Sequence, residues 1–252
     1  MIVTFQSVSG SPGVSVWSVL TLGLWPSEAR FDRLAVEADM AGGVMSARYQ
    51  LEAHTEVLFA EAGHWERGSR LDLSAFASRV ADSAWLVPGP KTPESARRLW
   101  RTESAAASIA AVAAVDRRVW LFDVGRAMPG SSLDPIMSEA AVAVLFTRGY
   151  AEELAKTQRR VRSLKETGAH VIVAVTGSLS HSQEEVTEFL GVGSVSFLPL
   201  DERLVEDSRE VWQSRRSRRR SVWSAGSTFA GEIADVLAYS PRGVMRVSAE
   251  VG

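Results

Sequence analysis

The sequence predicts an α/β fold: a mostly parallel central sheet, with helices on both faces, in three layers. Short β-rich runs alternate with longer helical segments from one end of the chain to the other. Several of those runs are apolar at consecutive positions, as strands covered above and below by helices are. No long Gly/Ser/Pro linker and no internal repeat divides the 252 residues, so residues 1–252 are read as one domain.

The strand-like runs, in order, are Ile2–Val8, Leu34–Ala38, Ala84–Val87, Val119–Val124, Ala140–Phe146, Val171–Thr176 and Ser194–Leu198. Helical periodicity places helices over Ser15–Leu24, Leu73–Ala81, Glu94–Val115, Ala151–Thr167, Ser182–Leu190 and Ser227–Tyr239. In the last of these, Phe229, Ile233, Val236 and Leu237 form an apolar stripe, while Glu232 and Asp235 lie opposite. An acidic face suits anionic lipid poorly, so this segment reads as a core helix rather than a membrane anchor. Trp17, Trp85, Trp100 and Trp120 fall in or beside predicted elements and are assigned to the core.

Composition narrows the chemistry. Hydrophobic residues are 46% and charged residues 23%, enough for a sizeable core. The net charge of −2 gives no global argument for nucleic acid or membrane as partner. With no cysteine, disulfides, thiolate nucleophiles and cysteine-bound metals are excluded. His54, His64, His170 and His181 lack paired metal-ligand spacing and are placed at the surface or in loops. The N-terminus has no signal-peptide pattern, and Val14–Trp25, the longest apolar stretch, is too short and polar to span a bilayer. The expected location is cytoplasmic.

Between the first strand and first helix lies Ser7-Val8-Ser9-Gly10-Ser11-Pro12-Gly13-Val14-Ser15-Val16. A phosphate-binding loop belongs at this place, because glycines let the backbone wrap phosphate oxygens and the helix N-terminus presents free N–H groups. Strand ends elsewhere carry acids: Glu37 and Asp39 before Gly42, Asp123 before Gly125, and Asp201 after Pro199. Carboxylates at the C-terminal ends of parallel strands gather at the crevice where α/β sheets bind ligands.

On these residues the chain resembles the MinD/ParA family of P-loop NTPases with a deviant Walker A motif, over nearly its whole length. That family's loop reads K-G-G-x-G-K-T-T. Its first lysine falls on Ser9, its glycines on Gly10, Ser11 and Gly13, its second lysine on Val14, and its threonines on Ser15 and Val16. The resemblance implies a nucleotide site built from Ser9, Gly10, Ser11, Pro12, Gly13, Val14, Ser15 and Val16, with Pro199 and Asp201 near the base. It also implies Asp39 as the acid that positions attacking water, and Ser15 with Asp123 beside magnesium. ATP or ADP with magnesium is the implied cofactor; with both lysines missing, no cofactor at all is the other expectation. Acids at strand ends also commonly cap the next turn. Arg126 could reach a phosphate, although a surface ion pair is the simpler expectation.

The resulting reading is a degenerate MinD/ParA-like positioning, partitioning or assembly factor with weak or absent nucleotide binding and hydrolysis, a pseudo-ATPase. A protein partner or a homodimer is implied. One alternative is an active ATPase whose phosphate contacts come from other groups or from a partner chain. Another is a nucleic-acid-binding module using Arg215, Arg216, Arg218, Arg219 and Arg220, the one strong basic block. That block could equally meet an acidic protein, a lipid surface or solvent.

Overall fold

The β-rich runs assemble into one eight-stranded sheet, seen in a computed structural model that describes residues 1–10, 12–27, 31–52, 54–65, 71–101, 103–126, 128–177, 181–200 and 221–240. The expectations for Ser11, Asp201 and Arg215, Arg216, Arg218, Arg219 and Arg220 lie outside the described residues. The strands are β1 (Ile2–Ser7), β2 (Arg33–Glu37), β3 (Ser78–Ala81), β4 (Ala84–Val87), β5 (Val119–Gly125), β6 (Val142–Arg148), β7 (His170–Thr176) and β8 (Val195–Leu198). Their spatial order is β3-β4-β2-β5-β1-β6-β7-β8, parallel throughout except for β3 on β4.

β1 lies between β5 and β6, every one of its residues buried. The chain leaves β1 toward one half of the sheet and returns beside it as β6 to build the other half. A crevice therefore opens beyond the C-terminal end of β1, where loops from both halves diverge. The register aligns Phe5 with Asp123 and Asp123 with Glu37, so the acids of β2 and β5 end level with the loop that follows β1.

Helices cover both faces. On one face α1 (Val14–Gly23) packs with the C-terminal helix Ser221–Tyr239, numbered α9 below, over Val3, Phe5, Leu121, Val144 and Phe146. On the other, α3 (Thr55–His64), α5 (Glu103–Val115) and α6 (Asp134–Ser138) bury Leu34, Val36, Trp120 and Phe122, while α7 (Ala151–Glu166) and α8 (Gln183–Leu190) cover β6 and β7. Two short helices complete the set, α2 (Met45–Tyr49) and α4 (Pro93–Leu99). Phe229, Ile233 and Leu237 of α9 are buried, which makes it the core helix its stripe predicted. Trp17, Trp100 and Trp120 are fully enclosed and Trp85 is half-buried.

Two expectations need correction. Leu73–Ala81 is not a helix: a single 3-10 turn, Leu73–Ala75, is capped by Asp72, whose Oδ1 accepts from the Ser74 N–H at 3.0 Å. The chain then extends as β3, because pairing with β4 satisfies its backbone groups at the sheet edge. Nor is Glu94–Val115 continuous. Thr92 caps α4 and Pro93 opens it, and α4 closes at Trp100, whose indole is buried 4.7 Å from the Phe59 ring. Seating that ring in the core turns the chain before α5 begins. Among the described residues, no helix is long and apolar enough to cross a membrane.

Candidate functional site

The loop after β1 reaches α1 through two glycines in left-handed conformation, Gly10 (φ 66°) and Gly13 (φ 86°). Gly13 is the N-cap of α1, and a Cβ there would meet Trp17 Cδ1 at 3.3 Å. No side chain caps α1, and its first turn holds no acid. Its leading N–H groups thus keep their partial positive charge.

Above this helix end lies a cavity of about 460 Å³, lined by Gly10, Gly13, Val14, Ser15 and Val16 from the loop and by Asp39 from the end of β2. Ser9, Pro12, Asp123 and Pro199 are not in its wall. The Ser9 hydroxyl is buried without a hydrogen-bond partner among the described residues, Pro12 is buried, and Pro199 follows β8 at a distant strand end.

Val14 stands where the resemblance expects a lysine. It is 6% exposed and packs in the α1 core while still bordering the cavity. The position is thus filled by apolar packing rather than by a charge reaching for the ligand.

The acids hold backbone, and Asp39 also lines the cavity. Glu37 is buried, and its Oε1 accepts from the Val44 N–H at 2.7 Å and the Met45 N–H at 3.2 Å. Its Oε2 accepts from the Gly89 N–H at 2.8 Å, tying the turn after β2 to the turn after β4. Burial raises its pKa and Asp39 adds to the rise, against the pull of those three amides. Asp123 is also buried; its Oδ1 accepts from the Gly125 N–H at 3.0 Å, and its Oδ2 makes no close hydrogen bond among the described residues, with the Ser15 hydroxyl beside the carboxyl. Burial, then the charge of Glu37 and finally that of Asp39 push its pKa up to about 7, with the Ser15 hydroxyl and the Gly125 amide partly opposing. Asp39 is half-buried, and its Oδ1 accepts from the Ala41 N–H at 2.8 Å. Gly125 (φ 59°) lets the Asp39 carboxyl lie against it, since a Cβ there would fall 2.2 Å from Asp39 Cγ.

Among the described residues, no group of three or more His, Asp or Glu side chains could hold a metal ion. A magnesium ion beside the loop would draw on the Ser15 hydroxyl and Asp123 Oδ2, with phosphate or water oxygens completing its shell. The donor chemistry fits such a shared site, and a bound cation would favour the ionised form of Asp123.

Arginines stand around the loop. Arg48 of α2, Arg97 of α4 and Arg126 after β5 all line the cavity. Arg126 Nη2 donates to the Gly10 carbonyl at 3.4 Å, so its expected surface ion pair is replaced by a contact with the loop itself. The Arg148 guanidinium lies beside Gly10, with its Cζ 3.7 Å from where a Cβ would stand. Sequence reasoning picked out Arg126 alone. Arg48 and Arg97 lie in the short helices that follow β2 and β4, Arg148 ends β6, and no shared signal in the sequence groups them.

Compared with solved structures, the architecture has clear counterparts. A ParA family ATPase from Chlorobium tepidum superposes with a TM-score of 0.71 at 15% identity, over 91% of this chain and 98% of that one. This is the fold of the MinD and ParA ATPases. The septum site-determining protein MinD of Pyrococcus horikoshii, solved with Mg-ADP, matches with a TM-score of 0.71 at 16% identity, over 92% of this chain and 95% of that one. A chain of a MinC:MinD cell division protein complex of Aquifex aeolicus matches with a TM-score of 0.64 at 14% identity, over 93% of this chain and 96% of that one. No family model and no curated protein matches the sequence. At these identities the MinD/ParA likeness is one of fold.

Proposed function

We propose that this MinD/ParA-like chain is a positioning or partitioning factor that does not turn over ATP. The observation that carries this reading is Val14, buried in the core where the resemblance places the loop's second lysine. Phosphoryl transfer depends on positioned positive charge at the transferred group, and valine supplies none. The cavity, the uncapped α1 N-terminus and the MinD/ParA fold support a retained ligand site. On this reading Asp39 lacks a catalytic task, and ligand binding, if retained, gates contact with a second copy or a protein partner. Arg215, Arg216, Arg218, Arg219 and Arg220 are proposed as the contact with nucleic acid or an acidic partner.

The test has two measurements. Purified protein with magnesium and ATP is expected to release phosphate no faster than Asp39→Ala and Asp123→Ala variants; faster release, abolished by either change, overturns the non-catalytic reading. A fluorescent fusion in the native host is expected to form foci or a gradient, which serine at the five arginines disperses. Even filling of the cell by the unaltered fusion overturns positioning, and an unchanged pattern in the serine variant removes the arginine run from it.

A further inference from the structure

The cavity wall around the loop is unusual in charge. Arg48, Arg97 and Arg126 enter it from the turns and helices after β2, β4 and β5, three separate stretches of chain. Among the described residues, the side chains of Arg48 and Arg97 have neither an ion-pair nor a hydrogen-bond partner, and that of Arg126 has only its long bond to Gly10. The single carboxylate in the wall, Asp39, is engaged with the Ala41 N–H. Converging like charges repel, and an arginine fork left unpaired forgoes its strongest contacts. Both costs vanish when an anion with several oxygens fills the space between them.

We propose that Arg48, Arg97 and Arg126 form a cation set that grips a di- or triphosphate chain over the Gly10–Ser15 loop. This rests on the proposed reading of the loop as a retained phosphate cradle. The α1 N-terminus and the three arginines border the same cavity. Planar forks with several N–H donors suit phosphate oxygens, which accept bidentate bonds. A volume of about 460 Å³ is within the roughly 300–1,000 Å³ that small-molecule sites occupy. The charge missing at Val14 is thereby restored, but from the walls. That arrangement holds a phosphate chain without a lysine placed to follow charge onto the transferred phosphoryl group.

Calorimetric titration of the full chain at low salt, with magnesium present, tests the set using ATP, ADP and inorganic pyrophosphate as separate probes. The unaltered protein is expected to bind at least one probe. Arg48→Gln, Arg97→Gln and Arg126→Gln should each weaken it by about tenfold, and the triple variant by more than about 100-fold, as loss of charge-assisted hydrogen bonds requires. Arg98→Gln is the control: Arg98 neighbours Arg97 in sequence, is exposed and lies outside the cavity wall, so affinity should not change. Arg97 and Arg126 are exposed and Arg48 is half-buried, and melting curves verify that each variant folds.

Pyrophosphate binding as tightly as ATP and ADP supports the set and assigns recognition to the phosphate chain. Tighter nucleotide binding supports it too, with the base contributing. No probe binding tighter than about 1 mM, or a folded triple variant binding as the unaltered protein does, overturns the proposal. Phosphate release measured on the same samples separates the two readings. ATP turnover overturns the non-catalytic reading and leaves the arginines in place, whereas arginine variants without effect overturn the set and leave that reading.

Discussion

Replacing Val14 with lysine restores charge inside the loop, and the structure sets both sides of the outcome. Val14 is 6% exposed within the α1 core cluster, so the valine packing is lost. Burying such a side chain contributes about 1.5 kcal/mol. The lysine stem recovers part of this by covering the same apolar surface while its ammonium leaves through the cavity that Val14 borders. The net loss of stability should be about 1 kcal/mol. On the binding side, one charge-assisted hydrogen bond to phosphate is worth about 1.5–3 kcal/mol, or roughly 10- to 150-fold in affinity. Val14→Met is the comparison that fills similar space without charge. Calorimetry with magnesium and ATP should give Val14→Lys at least about a tenfold tighter Kd than Val14→Met. A folded Val14→Lys protein with the affinity of Val14→Met would refute the argument, because the loop would then have ceased to be a phosphate site.

Two further outcomes follow from the acids and Gly125. Asp123 holds its proton up to about pH 7 when folded, against an ordinary 3.8. Between those values the native state binds more protons than the unfolded state, so stability falls as pH rises, by an amount of order 4 kcal/mol from this group. Denaturant titrations from pH 4 to 7 should show that slope, and Asp123→Asn should flatten it; Glu37, shifted in the same direction, leaves a residual slope. An equal slope in Asp123→Asn would contradict the assignment. Gly125→Ala must hold alanine at φ 59° and displace Asp39, costing about 1–2 kcal/mol of backbone strain and about 1 kcal/mol for the Asp39–Ala41 bond. Gly130→Ala, with open space around it at φ 79°, should lose the strain alone, so equal melting temperatures for the two variants would refute the Asp39 contact.

The parallel strands were legible because their residues are apolar on both faces, which is how Val119–Val124 and Val171–Thr176 announce themselves. β3 was not, since four half-buried or exposed residues carry no period and gain their structure from pairing with β4. The break at Trp100 was hidden too: neither Pro nor Gly marks it, and the cause is a ring contact with Phe59 from a distant segment. At the site, Gly10, Gly13, Ser15 and Asp39 could be named because a loop motif and strand-end acids have fixed places in the chain. The arginines could not, because Arg48, Arg97 and Arg126 become a group only when three strand ends are brought to one crevice.

That contrast bears on what the acids can be taken to mean. Glu37, Asp39 and Asp123 in register with an ATPase pattern invite the inference that catalysis survives. Yet Glu37 has its carboxyl bonded to three backbone amides that join the turns after β2 and β4, a task independent of nucleotide. Asp123 is anchored to the Gly125 N–H, and Asp39 closes a turn onto Ala41. Removing Glu37 would leave buried amides unsatisfied, at about 1–3 kcal/mol each, so the fold itself retains it whether or not ATP is hydrolysed. Asp39 and Asp123 likewise hold their own turns, so the presence of these acids is accounted for by the backbone they bind and carries no argument of its own for turnover.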